Sequence, residues 1–223
     1  MTMYEESLRK AFEELEASTQ VRIFHSKQGP LAEEFGDTAT AFEMISSWRG
    51  IELDPSLQRC FIRFTMLWSH WRIERPGVKL AGEFRIRHPL YTLDVRAPDS
   101  DWASNESEAQ LYSELRVIDD RPGSGTGAFA ALRIQQGNAM PEVWYHDFRR
   151  GAFKLDIDYC QYLDVLCVTK GVSGWQYLFT DVSLTERNFR SFARSLEKSL
   201  EVFPELFPDY DYTDLRARLQ ERM

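Results

Sequence analysis

Apolar positions recur with helical spacing at both ends of the chain and alternate through its middle, a contrast that predicts helices enclosing a sheet. Tyr4, Leu8, Phe12 and Leu15 form one stripe among Glu and Lys, predicting an amphipathic helix over 4–17. Residues 20–26 predict a strand with Val21 and Ile23 on one face, and Gly29-Pro30 marks a turn. A second helix is predicted from an Asp37 cap to Trp48, with Phe42, Ile45 and Trp48 as its stripe and Gly50 as a left-handed stop. Asp54-Pro55 supplies a cap and a first-turn proline, and Leu57, Cys60, Phe61 and Phe64 keep helical spacing. That spacing predicts a helix to about Phe64, followed from Met66 by a strand carrying Leu67, Trp71 and Ile73.

After the turn Arg75-Pro76-Gly77, Phe84 and Ile86 alternate against Arg85 and Arg87, so 80–95 reads as a strand. The polar run 97–108 reads as a surface loop, and a strand follows around Leu115–Ile118. Segments 127–134, 141–147 and 152–156 are short strands separated by glycine-containing turns, the pattern of an antiparallel meander. Tyr159, Leu163, Leu166 and Lys170 then mark a helix ended by Gly171. Phe189, Phe192, Leu196 and Leu200 mark another, ended before Pro204, and Leu215 and Leu219 mark a last short one. The expected fold is α+β: a central mixed or antiparallel sheet flanked by N-terminal and C-terminal helices. It is expected as one domain over 1–223, with an N-terminal helix and strand in 1–36 and a helical tail in 204–223.

Composition supports a substantial core, with 43% apolar and 13% aromatic residues in 223. The net charge of −8 argues against a general nucleic-acid binder, which needs a basic surface, and suits a basic protein partner. The first eighteen residues are charged and amphipathic, and no apolar run reaches membrane-spanning length. A cytoplasmic location without membrane association is therefore expected. Cys60, Cys160 and Cys167 lack zinc-ligand spacing and are expected as buried, reduced thiols.

No catalytic constellation, metal site or cofactor motif is legible. The glycines of 122–127 suggest a phosphate loop, but Ala-Phe-Ala-Ala-Leu-Arg-Ile follows as a strand where a phosphate cradle needs a helix, so a hairpin turn is expected. His25, His70, His88 and His146 are scattered without metal spacing. His146 and Asp147 are adjacent on a strand, which points them to opposite faces. Asp209, Asp211 and Asp214 resemble a calcium loop but lack its glycine and its final glutamate, so helix capping by Asp211 or Thr213 is the simpler account. The functional alternative is a partner-binding patch of Asp209, Tyr210, Asp211 and Tyr212. Trp175, Tyr177 and Phe179 are expected in the core.

Taken together, Asp54-Pro55 through Trp71, Gly82-Glu83-Phe84, the strand 141–147 and the segment 159–179 resemble the SUKH superfamily over about residues 37–203. This is the yeast cell-wall-regulator-like group that includes bacterial polymorphic-toxin immunity proteins. Asp54-Pro55 stands where the family has Leu-Pro, and the family's Asn-Gly after the helix is absent. The resemblance implies a mixed sheet flanked by helices and a non-enzymatic role: binding and blocking a toxin, often a nuclease. It carries no catalytic residues. The alternatives are a regulatory or scaffold protein, and a small enzyme using His146 or the carboxylates Asp156 and Asp158.

Overall fold

Alternation along Met66–Ile73 buries Leu67, Ser69, Trp71 and Ile73 and turns Met66, Trp68, His70 and Arg72 the other way, so this strand sits between a core and an outer face. The same rule orders the whole sheet. In the computed structural model, which describes residues 2–94 and 102–223, seven strands follow one another in space as they do in sequence. They are β1 (Val21–Gln28), β2 (Met66–Ile73), β3 (Ala81–Arg87), β4 (Leu115–Asp120), β5 (Phe129–Arg133), β6 (Glu142–Asp147) and β7 (Gly151–Lys154). Every registered pair is antiparallel. The expected α+β fold is found, with the antiparallel form of the sheet and helices at both termini.

The core face is covered by α1 (Met3–Ala17), α5 (Tyr159–Thr169), α6 (Arg190–Leu206) and α7 (Thr213–Arg222), and one apolar cluster runs from Tyr4 to Leu219. α2 (Thr38–Arg49) adds Phe42 and Ile45 to this cluster, and α3 (Pro89–Asp94) adds Leu90 and Leu93. Trp175, Tyr177 and Phe179 are buried in this cluster, as expected. Among the described residues, α4 (Glu106–Glu114) covers the second half of the outer face, bringing Tyr112 onto Phe129, Ala131 and Trp144.

Joining β3 to β4 is the least regular step, because only Ile86 and Asp119 stand in register. The segment after α5 completes that edge: Glu83 N donates to Gly171 O at 3.0 Å, and Ser173 N donates to Ala81 O at 3.0 Å. Backbones approach so closely there that a Cβ on Gly82 would lie 2.8 Å from Gly171 O and 2.5 Å from Trp71.

Several expectations are corrected. The predicted helix to Phe64 is a short 3-10 turn, Pro55–Cys60; beyond it the chain is extended and Phe64 bridges to Leu31. The strand read over 80–95 ends at Arg87, because Pro89 lacks an amide for the ladder and instead opens α3. Of the expected loop 97–108, residues 97–101 lie outside the described residues, and its end belongs to α4, whose Asn105 cap accepts from Glu108 N. The helix expected to stop before Pro204 continues to Leu206. Proline removes the amide that would bond Leu200 O, and Arg216 Nη2 fills the vacancy at 3.0 Å.

Cys60 and Cys160 are not thiols but a disulfide, almost fully buried, tying the 55–60 turn to α5 across 100 residues; Cys167 alone is free. Helical spacing within one segment could not reveal a partner so distant. Closing so long a loop restricts the unfolded chain, an effect of roughly 2–5 kcal/mol. Denaturant unfolding with and without dithiothreitol is expected to show a loss of that order on reduction. An identical midpoint in both conditions would contradict the bridge.

Candidate interaction site

Two acids in the middle of the sheet decide what the surrounding polar groups can do. Glu83 points to the outer face of β3 yet is only 2% exposed. Its carboxylate accepts from Trp68 Nε1 at 3.0 Å, Gly123 N at 2.7 Å and Ser124 N at 2.7 Å. Segment 122–127 thus does cradle an anion with its backbone, but the anion is the protein's own. The connection is a turn between β4 and β5, as expected, and a Cβ on Gly123 would meet His70 Nδ1 at 2.6 Å and Glu83 Oε1 at 2.9 Å.

Asp119, on the core face, is the second acid. It accepts from Arg85 N at 2.8 Å, standing in for a missing ladder acceptor, and from Tyr162 OH at 2.7 Å. Gln176 Nε2 donates onward to Tyr162 OH at 3.4 Å. Complete burial pushes the Asp119 carboxyl up to about 6, against the pull of Arg121 and of its hydrogen bonds.

Most of the other groups singled out from the sequence are buried or held by partners, while His25 and His70 lie on the outer face of the sheet. His146 is buried between Phe129, stacked at 4.7 Å, and Trp102, stacked at 6.0 Å, with Tyr112 edge-on at 5.5 Å. Burial lowers its pKa, the Asp147 charge opposing, and its Nδ1 has no partner among the described residues. Asp147 points to the other face, where it accepts from Tyr177 OH at 2.7 Å and Arg150 Nη1 at 2.8 Å, so the two do not form a dyad. His88 is buried, which lowers it to about 4, and accepts from Leu90 N. Burial pushes the Cys167 thiol up to about 12. Asp158 caps α5, and Asp156 pairs with Arg218 at 2.8 Å. No hydrogen bond among the described residues joins any of the four imidazoles to a carboxylate, hydroxyl or thiol side chain. Nor is there, among them, a group of three His, Cys, Asp or Glu able to hold a metal.

The residues 209–212 serve mainly to fasten the C-terminal segment to α1. Asp209 pairs with Lys10 at 2.9 Å, and Tyr210 OH donates to Glu14 at 2.8 Å. Asp211 accepts from Thr213 N at 2.8 Å, and Tyr212, 3% exposed, donates to Phe207 O at 2.9 Å. Beneath them Lys170, fully buried, pairs with Glu14 at 2.6 Å and lies 3.8 Å from the Tyr210 ring centre. Burial lowers Lys170 to about 8 despite Glu14. Asp209 and Asp211 remain exposed, but Tyr210 and Tyr212 face inward.

Among the described residues, the outer face of β1–β3 is left uncovered except where the 122–127 turn rests on Glu83. A bulge between Ile23 and His25 turns both Phe24 and His25 outward, against strict alternation. Phe24 is 44% exposed, with the guanidinium carbons of Arg22 and Arg72 each 5.3 Å from its ring centre and His70 at 5.1 Å. His25 lies 3.9 Å from Trp68, whose other neighbour is Arg85 at 5.6 Å. Among the described residues, Arg22, Arg72, Arg85 and Arg87 share only Glu74 and Asp120 as surface carboxylate partners. The sequence signal for this surface was Trp68, His70 and Arg72 on alternate positions, which reads equally as an ordinary solvated face.

Comparison with family models finds none that matches the chain, and comparison with curated proteins and with solved structures finds no match either.

The Asp119 shift gives a signed prediction. A carboxyl raised in the fold favours folding while protonated, and that contribution is lost as pH rises through about 6. Relative to Asp119→Asn, which does not titrate, the wild type is expected to gain roughly 1–2 kcal/mol between pH 7.5 and pH 5. Urea unfolding of both proteins at the two pH values measures this, and a constant difference would contradict it.

Proposed function

We propose that this chain is a non-enzymatic, immunity-type protein that binds a cognate bacterial toxin and neutralises it by stoichiometric occlusion through the outer face of β1–β3. The observation that carries the reading is the uncovered array of Phe24, His25, Trp68 and His70 interleaved with Arg22, Arg72 and Arg85. Aromatic and arginine side chains dominate the energetics of protein interfaces, because they bring large contact area and forked hydrogen bonding at small conformational cost. The resemblance over residues 37–203 supports the same role. So does the engagement of the buried acids and histidines in holding the fold, which leaves no activated nucleophile among the described residues.

The net charge of −8 suits a basic partner as a whole, since opposite fields speed encounter. Among the described residues the four arginines of this face pair with Glu74 and Asp120, and its third carboxylate, Glu83, is buried and engaged, so the patch that meets it should present carboxylates and apolar groups. A cytoplasmic setting belongs to this reading. There the buried Cys60–Cys160 bridge meets reductant when the fold opens. No helix among the described residues is long and apolar enough to cross a membrane.

Co-expression with the product of a neighbouring toxin gene tests the proposal. A one-to-one complex and restored growth are expected. Phe24→Ala combined with Arg72→Glu, both exposed, should weaken binding by roughly tenfold or more while leaving the fold intact. Absence of a complex and of growth rescue would end the reading, and a complex indifferent to both substitutions would move it off this face.

A further inference from the structure

On the far side of the 122–127 turn from this face, a cleft of about 540 Å³ opens between the turn, the end of β6 and the start of α6. Its floor is Arg121, only 6% exposed. One N–H of its guanidinium donates to Gln176 Oε1 at 2.9 Å, and its charge lies 5.7 Å from the Tyr145 ring centre. Among the described residues it has no carboxylate within ion-pair distance and no second hydrogen-bond acceptor for its side chain. The nearby acids are engaged elsewhere: Asp119 by Arg85 N and Tyr162, Glu83 by Trp68 and the turn amides.

The charges of Asp119 and Glu83 act on Arg121 without a direct carboxylate contact, so its remaining N–H groups stay open to an anion, which would meet little competition from water there. The rest of the lining fits the same ligand. Arg149 and Arg150 stand over the cleft, and Ser124 and Thr126 bring hydroxyls from the turn. Asp147, the one acid among the described residues of the lining, is held by Tyr177 OH, Arg149 N and Arg150. Three arginines thus face one occupied carboxylate, on a chain whose net charge is −8. The planar fork of arginine matches carboxylate and phosphate oxygens in pairs.

We propose that this cleft is an oxyanion-binding site in which Arg121 receives a carboxylate or phosphate group and Arg149 closes over it. The site is separate from the aromatic face and does not depend on the identity of the toxin. The group would come either from a free small anion or from the terminal carboxylate of a peptide chain.

Calorimetric titration of the full chain at low ionic strength tests the site, using inorganic phosphate, acetate, and a short neutral peptide in free-acid and amidated forms. Saturable binding of phosphate or acetate assigns a free anion. Binding of the free-acid peptide, with none of its amide and none of the small anions, assigns a chain terminus. In either case Arg149→Ala, at an exposed position, should weaken binding by roughly tenfold, and Arg121→Met should abolish it. If Arg121→Met does not fold, the Arg121 Nε–H resonance of the wild type decides: it should shift on adding the bound probe. No saturable binding of any probe, undiminished binding by folded Arg121→Met, or an unmoved Arg121 resonance would overturn the proposal.

Discussion

A β-ladder needs an acceptor opposite each inward-pointing amide, and at the junction of β3 and β4 the neighbouring strand does not supply them. Glu83 N finds Gly171 O instead, and Arg85 N finds the carboxylate of Asp119. Because buried amides left without partners cost as much as lost hydrogen bonds, these two substitutes keep seven strands in one sheet. Asp119 is in turn fixed by Tyr162 on α5, so the junction couples the sheet to the helical layer. The close approach of Gly82 and Gly171 and the arrest of the 122–127 turn on Glu83 follow from the same joint.

That joint also explains the distribution of polar chemistry. Side chains that would be reactive if aimed into a cleft are placed where the backbone lacks partners, or are walled in by rings as His146 is. What they leave to solvent is the first half of the outer sheet face, rich in arginine and aromatic groups, and a cationic cleft whose deepest guanidinium has no carboxylate in direct contact among the described residues.

Much of the architecture was legible because short-range patterning controls it. The stripe of Tyr4, Leu8, Phe12 and Leu15, the alternation of Phe84 with Ile86, and the Asp37 cap with its Gly50 stop each specify an element locally. What was not legible depends on partners far along the chain. Pro204 reads as a helix stop until Arg216 satisfies Leu200 O from another helix. Cys60 and Cys160 read as thiols until the fold brings them together. Tyr210 and Tyr212 read as an exposed patch until Lys170 and Phe207 draw them inward. The outer face was hidden for the opposite reason: an uncovered aromatic face and a covered one look alike in sequence, and only the reach of α4 distinguishes them.

Native-state amide hydrogen exchange tests most directly whether Glu83 and Asp119 hold the sheet and its turn together. Arg85, Gly123 and Ser124 donate to carboxylates rather than to a regular ladder, and the last two lie in an otherwise exposed turn. All three amides are expected to exchange nearly as slowly as those of central β5, opening only with large-scale unfolding. Exchange of Gly123 and Ser124 at the rate of a free loop, with Arg85 equally fast, would contradict the account.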